Sequence, residues 1–147
     1  MATFAAAVSR RIPATAERLW AILVDYRGGH ARILPDAFED LVVEEGGRGA
    51  GTVLRVTVKA GGRRLVLRMH VIEPVPGRVL EERLDDGTVT RFLLEPDDDG
   101  GCKVTIATVW PRKPGLKGWL ESKGAPRFAR KAYAQELANL EREAANA

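Results

Sequence analysis

The sequence has few of the residues that build covalent, nucleophilic or metal sites. Its single cysteine, Cys102, excludes an internal disulfide framework and any metal site made of several cysteines. The only serines, Ser9 and Ser122, stand in no nucleophile-elbow context. The only histidines, His30 and His70, are far apart and lack the short spacing of zinc ligands. We therefore predict no familiar serine hydrolase, no metal site and no cofactor.

Long apolar runs are also missing. No run approaches the roughly 18 to 20 residues that a membrane-spanning helix requires. The stretch Phe4 to Val8 is too short for a signal-peptide core, and Arg10 and Arg11 follow it instead of preceding it. The 147 residues, 45% hydrophobic and 29% charged, suit one globular domain over residues 1–147. Together with the lone cysteine, these features predict a cytoplasmic protein.

Hydrophobic periodicity predicts a strand, a helix and then a series of strands. Residues Phe4 to Ile12 alternate with the period of two that is typical of a strand, and Pro13 ends it. Thr15 is placed to cap an amphipathic helix that ends near Asp25. Residues 26–37 are expected to be irregular or to hold one short helical turn. Six strands joined by short loops are then predicted: Leu41–Glu45, Thr52–Ala60, Leu65–Ile72, Val79–Leu84, Thr88–Glu95 and Cys102–Trp110.

The last part of the chain has a helical pattern. Gly124 and Pro126 interrupt it, so we expect a kink or break there. The apolar stripe that follows consists of Ala129, Tyr133, Leu137, Leu140 and Ala144. A curved antiparallel sheet has one concave face that such a helix can cover. The order of elements therefore predicts an α+β fold with a pocket between sheet and helix.

Inward-facing positions of the strands supply the candidate cavity wall, and aromatic side chains of the last helix are candidates to close it. For each residue alone, ordinary core packing is the favoured interpretation, and the functional case rests on the set. The candidates are Leu54, Val56, Leu67, Met69, Thr90, Phe92, Ile106, Thr108, Trp110, Trp119, Phe128 and Tyr133.

Three polar residues share the inward parity and could orient a ligand: Arg10, Glu82 and Thr90. A buried Glu82 could act as an acid or base, but it could equally face solvent or pair with Arg10. His30, in the segment after the first helix, is a second catalytic candidate at a pocket entrance. His70 is expected to face solvent, and Cys102 to be a buried small hydrophobe.

Positive charge collects at the start of the last helix, although the net charge is only +3. Between Arg112 and Lys131 the only acid is Glu121. A solvated helix face is the favoured interpretation, and contact with an acidic partner or an anionic membrane surface is the alternative. We predict no specific nucleic-acid binding. The residues of this alternative are Lys117, Lys123, Arg127, Arg130 and Lys131.

The segment Ile12 to Asp25, the Gly-Ala-Gly-Thr sequence at Gly49 to Thr52 and the final helix resemble the START-like, or helix-grip (SRPBCC), superfamily, in particular its polyketide cyclase/dehydrase-like branch. The resemblance implies a seven-stranded antiparallel sheet around a long C-terminal helix, with one or two short helices between the first two strands. It also implies a hydrophobic cavity. Members bind lipids, sterols, polyketides, quinones or plant hormones, and some catalyse cyclisation or dehydration.

Three functions are compatible with this sequence. The preferred hypothesis is the binding of a small hydrophobic molecule, such as a lipid, polyketide or quinone, without catalysis. The second is a polyketide aromatase/cyclase or dehydratase that uses Glu82 or His30. The third is a protein- or ribosome-interaction module that uses the basic C-terminal region. Because carriers and enzymes share the fold, the fold alone does not decide between them.

Overall fold

The described residues form seven strands and three helices. The computed structural model describes residues 2–146, with the side chains of residues 116, 117, 119 and 120 excepted. The elements are β1 (Thr3–Ile12), α1 (Ala16–Val24), α2 (Gly29–Ile33), β2 (Phe38–Glu45), β3 (Val53–Ala60), β4 (Arg63–Val75), β5 (Val79–Arg83), β6 (Val89–Pro96), β7 (Cys102–Pro111) and α3 (Gly115–Ala145). The predicted α+β order is thus confirmed.

All seven strands belong to one antiparallel sheet in the order β1-β7-β6-β5-β4-β3-β2. Six strands follow one another as a meander, and β1 joins at the far edge by pairing with β7, from Thr3 opposite Pro111 to Ile12 opposite Cys102. The two short helices lie between β1 and β2, as the resemblance implied. This arrangement is the helix-grip fold.

The sequence forms α1 where a cap and an apolar stripe coincide. Thr15 has extended backbone geometry, and its side-chain oxygen accepts the amide hydrogen of Arg18, which satisfies one of the free donors of the first turn. Leu19 and Leu23 on one face are fully buried. The cap predicted from the sequence is confirmed.

Helix α3 packs mainly on β1, and it also contacts α2, α1 and β7. Its buried face recurs every three or four residues, as expected for a helix that lies on a sheet. Tyr133 and Leu137 occupy the middle of that face, and Leu140 continues it toward the C-terminus. Because α3 lies toward one side of the sheet, the inward side chains of β3 and β4 are left without a helix directly upon them.

Two expected element ends are not found. Helix α3 continues through Pro126 without the break that was one of the two outcomes expected there; this proline is buried, and the residues after it are held by their packing on the sheet. Strand β4 extends beyond its predicted end at Ile72, past Pro74 to Val75, and its pairing with β5 shifts register after Ile72. A bulge of this kind tolerates a residue that lacks an amide hydrogen.

His70 reaches the surface, as expected. It lies on β4 and is partly exposed, with Nε2 3.7 Å from Oδ1 of Asp85. Within residues 2–146, no helix is both long enough and apolar enough to cross a membrane.

Substitution Leu137→Ala is expected to destabilise the protein by about 2–5 kcal/mol, because Leu137 is fully buried between α3 and the sheet and its removal leaves a cavity. Urea unfolding measures the change. The control is Val66→Ala, at a residue that is 64% exposed, which should change stability by no more than about 0.5 kcal/mol. Equal effects of the two substitutions would contradict the assigned packing.

Candidate functional site

A cavity of about 480 Å³ lies between the concave face of the sheet and α3. Its wall is mainly aliphatic and aromatic, and its volume lies in the range of pockets that hold small-molecule ligands. The exposed residues Arg63, Asp86 and Lys113 also line it, so the cavity reaches the protein surface.

Most of the predicted wall residues line this space. Ile106 is fully buried but is not part of the wall, and the side chain of Trp119 lies outside the described residues. Strands β3, β4, β6 and β7 and helix α3 contribute the others: Leu54, Val56, Leu67, Met69, Thr90, Phe92, Thr108, Trp110, Phe128 and Tyr133.

Strand alternation separates two neighbouring glutamates on β5. Glu82 faces the cavity and is 6% exposed. Glu81 points to the other face of the sheet, where it forms ion pairs with Arg83 and Arg91.

The proposed pairing of Glu82 with Arg10 is wrong. Arg10 lies at the surface, with Nε 2.8 Å from Oε1 of Glu141 on α3, because β1 passes close to the C-terminal half of that helix.

Four side chains from four parts of the chain meet at the buried end of the cavity, and we call them the His30 cluster: Tyr26, His30, Glu82 and Glu136. The hydroxyl of Tyr26 donates a hydrogen bond of 2.8 Å to Oε2 of Glu82. Nε2 of His30 lies 3.5 Å from Oε2 of Glu82 and 3.6 Å from Oε2 of Glu136. His30 therefore stands between two carboxyl groups that belong to β5 and α3.

Local structure fixes the histidine ring. His30 was expected at a pocket entrance, but it lies in α2 and is only 2% exposed. Its Nδ1 lies 2.6 Å from the carbonyl oxygen of Leu23, its ring stacks on Tyr26 at 4.3 Å, and its edge meets Phe92. The glycine-rich loop after β2 supports Tyr26, because the carbonyl of Gly47 accepts the Tyr26 amide hydrogen at 3.0 Å.

The contact with Leu23 determines the tautomer of His30. A carbonyl oxygen only accepts hydrogen bonds, so Nδ1 carries a hydrogen, and Nε2 faces the two carboxyl groups. A bare Nε2 between two ionised carboxylates would set lone pairs against lone pairs. A single proton shared among His30, Glu82 and Glu136 removes this repulsion.

Burial changes the acidity of two members of the cluster. The apolar surroundings, and secondly the charge of Glu82, raise the pKa of Glu136 well above its ordinary value. Burial, followed by the nearby Glu82 carboxylate, also raises the pKa of the Tyr26 hydroxyl. The cluster therefore combines a carboxyl group that favours its protonated form with a second carboxyl group that accepts a hydrogen bond.

A second polar group, formed by three hydroxyls, lies on the same wall. Oγ1 of Thr108 is 2.8 Å from Oγ1 of Thr90 and 2.5 Å from the hydroxyl of Tyr133. Burial raises the pKa of Tyr133 to about 12, so its hydroxyl keeps its proton near neutrality. The cavity thus offers neutral hydrogen-bonding groups in addition to the His30 cluster.

Two residues of the cluster escape detection in the sequence. Glu136 is 3% exposed and interrupts the buried stripe of α3 between Tyr133 and Leu137, and an acid at such a position is the signal that could have identified it. Tyr26 carries no comparable signal, because it follows the end of α1 in a segment without periodicity. Only the fold brings it to Glu82.

Other candidate groups lie away from the cavity. Burial raises the pKa of the Cys102 thiol, which fits a packing role. Lys123, Arg127, Arg130 and Lys131 are exposed on α3, and the Lys117 side chain lies outside the described residues. In the part of the chain that the structure describes, no three side chains of His, Cys, Asp or Glu are arranged to hold a metal ion.

Fold and cavity together define a helix-grip protein with an internal apolar pocket. The chain belongs to the polyketide cyclase/dehydrase and lipid transport family, whose model matches residues 3–145, and the resemblance seen in the sequence is thereby confirmed. Members of this family typically bind hydrophobic ligands or act as polyketide cyclases. No curated protein matches the chain.

Several solved structures share the fold. The solution structure of KanY is 27% identical, with a TM-score of 0.84, over 98% of this chain and 99% of that chain. TTHA0849 from Thermus thermophilus is 21% identical, with a TM-score of 0.77, over 95% of this chain and 96% of that chain. The Zhui aromatase/cyclase from Streptomyces sp. R1128 is 16% identical, with a TM-score of 0.78, over 97% of this chain and 94% of that chain.

The free energy of unfolding of Glu136→Gln, measured relative to that of the wild type, is expected to increase as pH rises. The folded state holds the Glu136 proton more tightly than the unfolded chain, in which the pKa has its ordinary value of 4.5. This contribution to stability is complete below the unfolded pKa and is lost as pH rises through the folded pKa, whereas glutamine does not titrate.

Urea unfolding of both proteins between about pH 5 and about pH 8 measures the difference. The control is Glu141→Gln, at a partly exposed residue of the same helix that pairs with Arg10, and its difference from the wild type should change little over this range. If the difference in unfolding free energy between the wild type and Glu136→Gln stays constant with pH, the folded state does not raise the pKa of Glu136.

Proposed function

We propose that the protein binds a small hydrophobic molecule in the cavity between the sheet and α3. The observation that carries this proposal is the cavity itself, about 480 Å³ in volume, with an aliphatic and aromatic wall that reaches the surface. Transfer of an apolar ligand from water into such a space is favourable in proportion to the apolar area that it buries. Family membership supports the same function, whether as carriage or as sequestration of the ligand.

Substitution Ala125→Trp is expected to weaken binding of the neutral apolar dye Nile red about tenfold or more, because Ala125 lines the cavity and an indole ring there occupies ligand space. Dye fluorescence on titration with protein measures the affinity. The matched control is Ala134→Trp on the same helix, at an exposed residue that does not line the cavity. Loss of binding in both variants, or in neither, would contradict binding in the cavity.

A second candidate function is dehydration or cyclisation of a polyketide-like substrate, as the name of the Zhui aromatase/cyclase suggests. The His30 cluster favours it, because two carboxyl groups reach the same cavity and burial raises the pKa of one of them, Glu136. In dehydration of a β-hydroxy ketone, Glu82 would remove the proton next to the carbonyl, and Glu136 would protonate the departing hydroxyl, which leaves as water. The double bond forms between the carbon that loses the proton and the carbon that loses the hydroxyl.

If the protein is such an enzyme, Glu82→Gln and Glu136→Gln should each lower kcat for a β-hydroxy ketone about a hundredfold or more, since each removes one proton-transfer group. Mass spectrometry follows the loss of water. Nile red binding is measured in parallel as a test of the intact cavity. Full turnover by the variants, or no turnover by the wild type on this substrate class, would leave the binding function alone.

A further inference from the structure

The His30 cluster carries negative charge that the described residues do not balance. Glu82 and Glu136 are both buried, and among the described side chains no lysine or arginine lies within ion-pair distance of either carboxyl group. Their only basic neighbour among those side chains is His30. Because buried carboxylates are normally paired with a cation, this arrangement is unusual for a site with a purely structural role.

The net charge of the cluster follows from the single shared proton. With one proton shared among His30, Glu82 and Glu136, the three groups carry one net negative charge, whichever of them holds the proton. The hydroxyl of Tyr26 stabilises Glu82 by a hydrogen bond but adds no charge. Rings of Tyr26, His30 and Phe92 pack on one side of the cluster, so a compensating charge must approach from the cavity.

Glu136 is the group that is open to such a partner. Its carboxyl group lines the cavity, is 3% exposed and receives no hydrogen bond from the described residues. Nε2 of His30 lies 3.6 Å from Oε2 of Glu136, which is beyond good hydrogen-bond distance. By contrast, Glu82 already accepts the Tyr26 hydroxyl.

We propose that the buried end of the cavity recognises a protonated amine, so that the ligand is a lipophilic amine with its ammonium group against Glu136 and its apolar body along β3 and β4. This proposal rests on the proposed binding function and adds the chemical class of the ligand. A positive charge beside Glu136 favours the ionised form of this carboxyl group, so the ammonium group takes the place of the proton that burial otherwise keeps there. The ammonium group also supplies the hydrogen-bond donors that Glu136 lacks. The apolar wall at Leu54, Val56 and Met69 buries the remainder of the molecule.

A carboxylate ligand of the same shape would bring like charge to Glu82 and Glu136, and an alcohol would bring no charge. The structure therefore predicts an order of affinity in which the amine is first, the alcohol second and the carboxylate last. Since a charge-assisted hydrogen bond is stronger than a neutral one, the amine should bind about tenfold more tightly than the alcohol.

Isothermal titration calorimetry with octylamine, octanol and octanoate at neutral pH tests this order, because the three probes share one alkyl chain. In Glu136→Gln, the preference for octylamine over octanol should fall to about one, while octanol affinity is retained. The matched control is Glu141→Gln, which removes a carboxylate from the same helix outside the cavity wall and should keep the full preference.

The outcomes separate this inference from the function on which it rests. Octanol that binds the wild type as tightly as octylamine would overturn the amine inference and leave hydrophobic binding intact. An octylamine preference that persists in Glu136→Gln would also overturn it, since recognition would then lie elsewhere. Failure of all three probes and of Nile red to bind would remove the proposed function itself.

Discussion

The structure depends on one geometric constraint, which is that a single helix covers only part of the concave face of a bent seven-stranded sheet. Helix α3 packs against β1 and β7, where fully buried side chains such as Leu137 and Ile106 make a close-packed core. On the side of β3 and β4, inward residues such as Leu54 and Leu67 face a space of about 480 Å³ instead of a helix. Core and cavity are thus two parts of the same interface, and stability is supplied by the first while the second is left open for a ligand.

The same constraint explains why charged groups are found in an apolar interior. Glu82 is held by the pairing of β5 with its neighbours, and Glu136 is held by the packing of α3, so neither can move to solvent without disturbing those elements. His30 is held by its contact with Leu23 and its stacking on Tyr26. Burying these groups without full compensation costs free energy, and a molecule that enters the cavity can recover part of that cost. The polar cluster is therefore more readily explained by a ligand than by folding.

Much of the fold is predictable because its signals are local. Alternation over Phe4 to Ile12, the cap at Thr15 and the turn glycines depend on residues close together in the chain, and the strand boundaries agree with the structure to within a few residues at most ends. Two predicted ends fail because packing outweighs a local signal. Helix α3 runs unbroken through Pro126, and β4 runs past its predicted end at Ile72, where a register shift accommodates Pro74.

The sequence by itself determined the order of the elements, which face of each strand is apolar, and hence that Glu82 and Thr90 share a parity with the wall. Only the tertiary structure decided that Glu82 faces the cavity while Arg10, of the same parity, lies at the surface against Glu141. It alone brought Tyr26, His30 and Glu136 to Glu82. The physical reason is that periodicity reports a residue's side of its own element, whereas distances between side chains far apart in the chain arise only when sheet pairing and helix packing place those elements together.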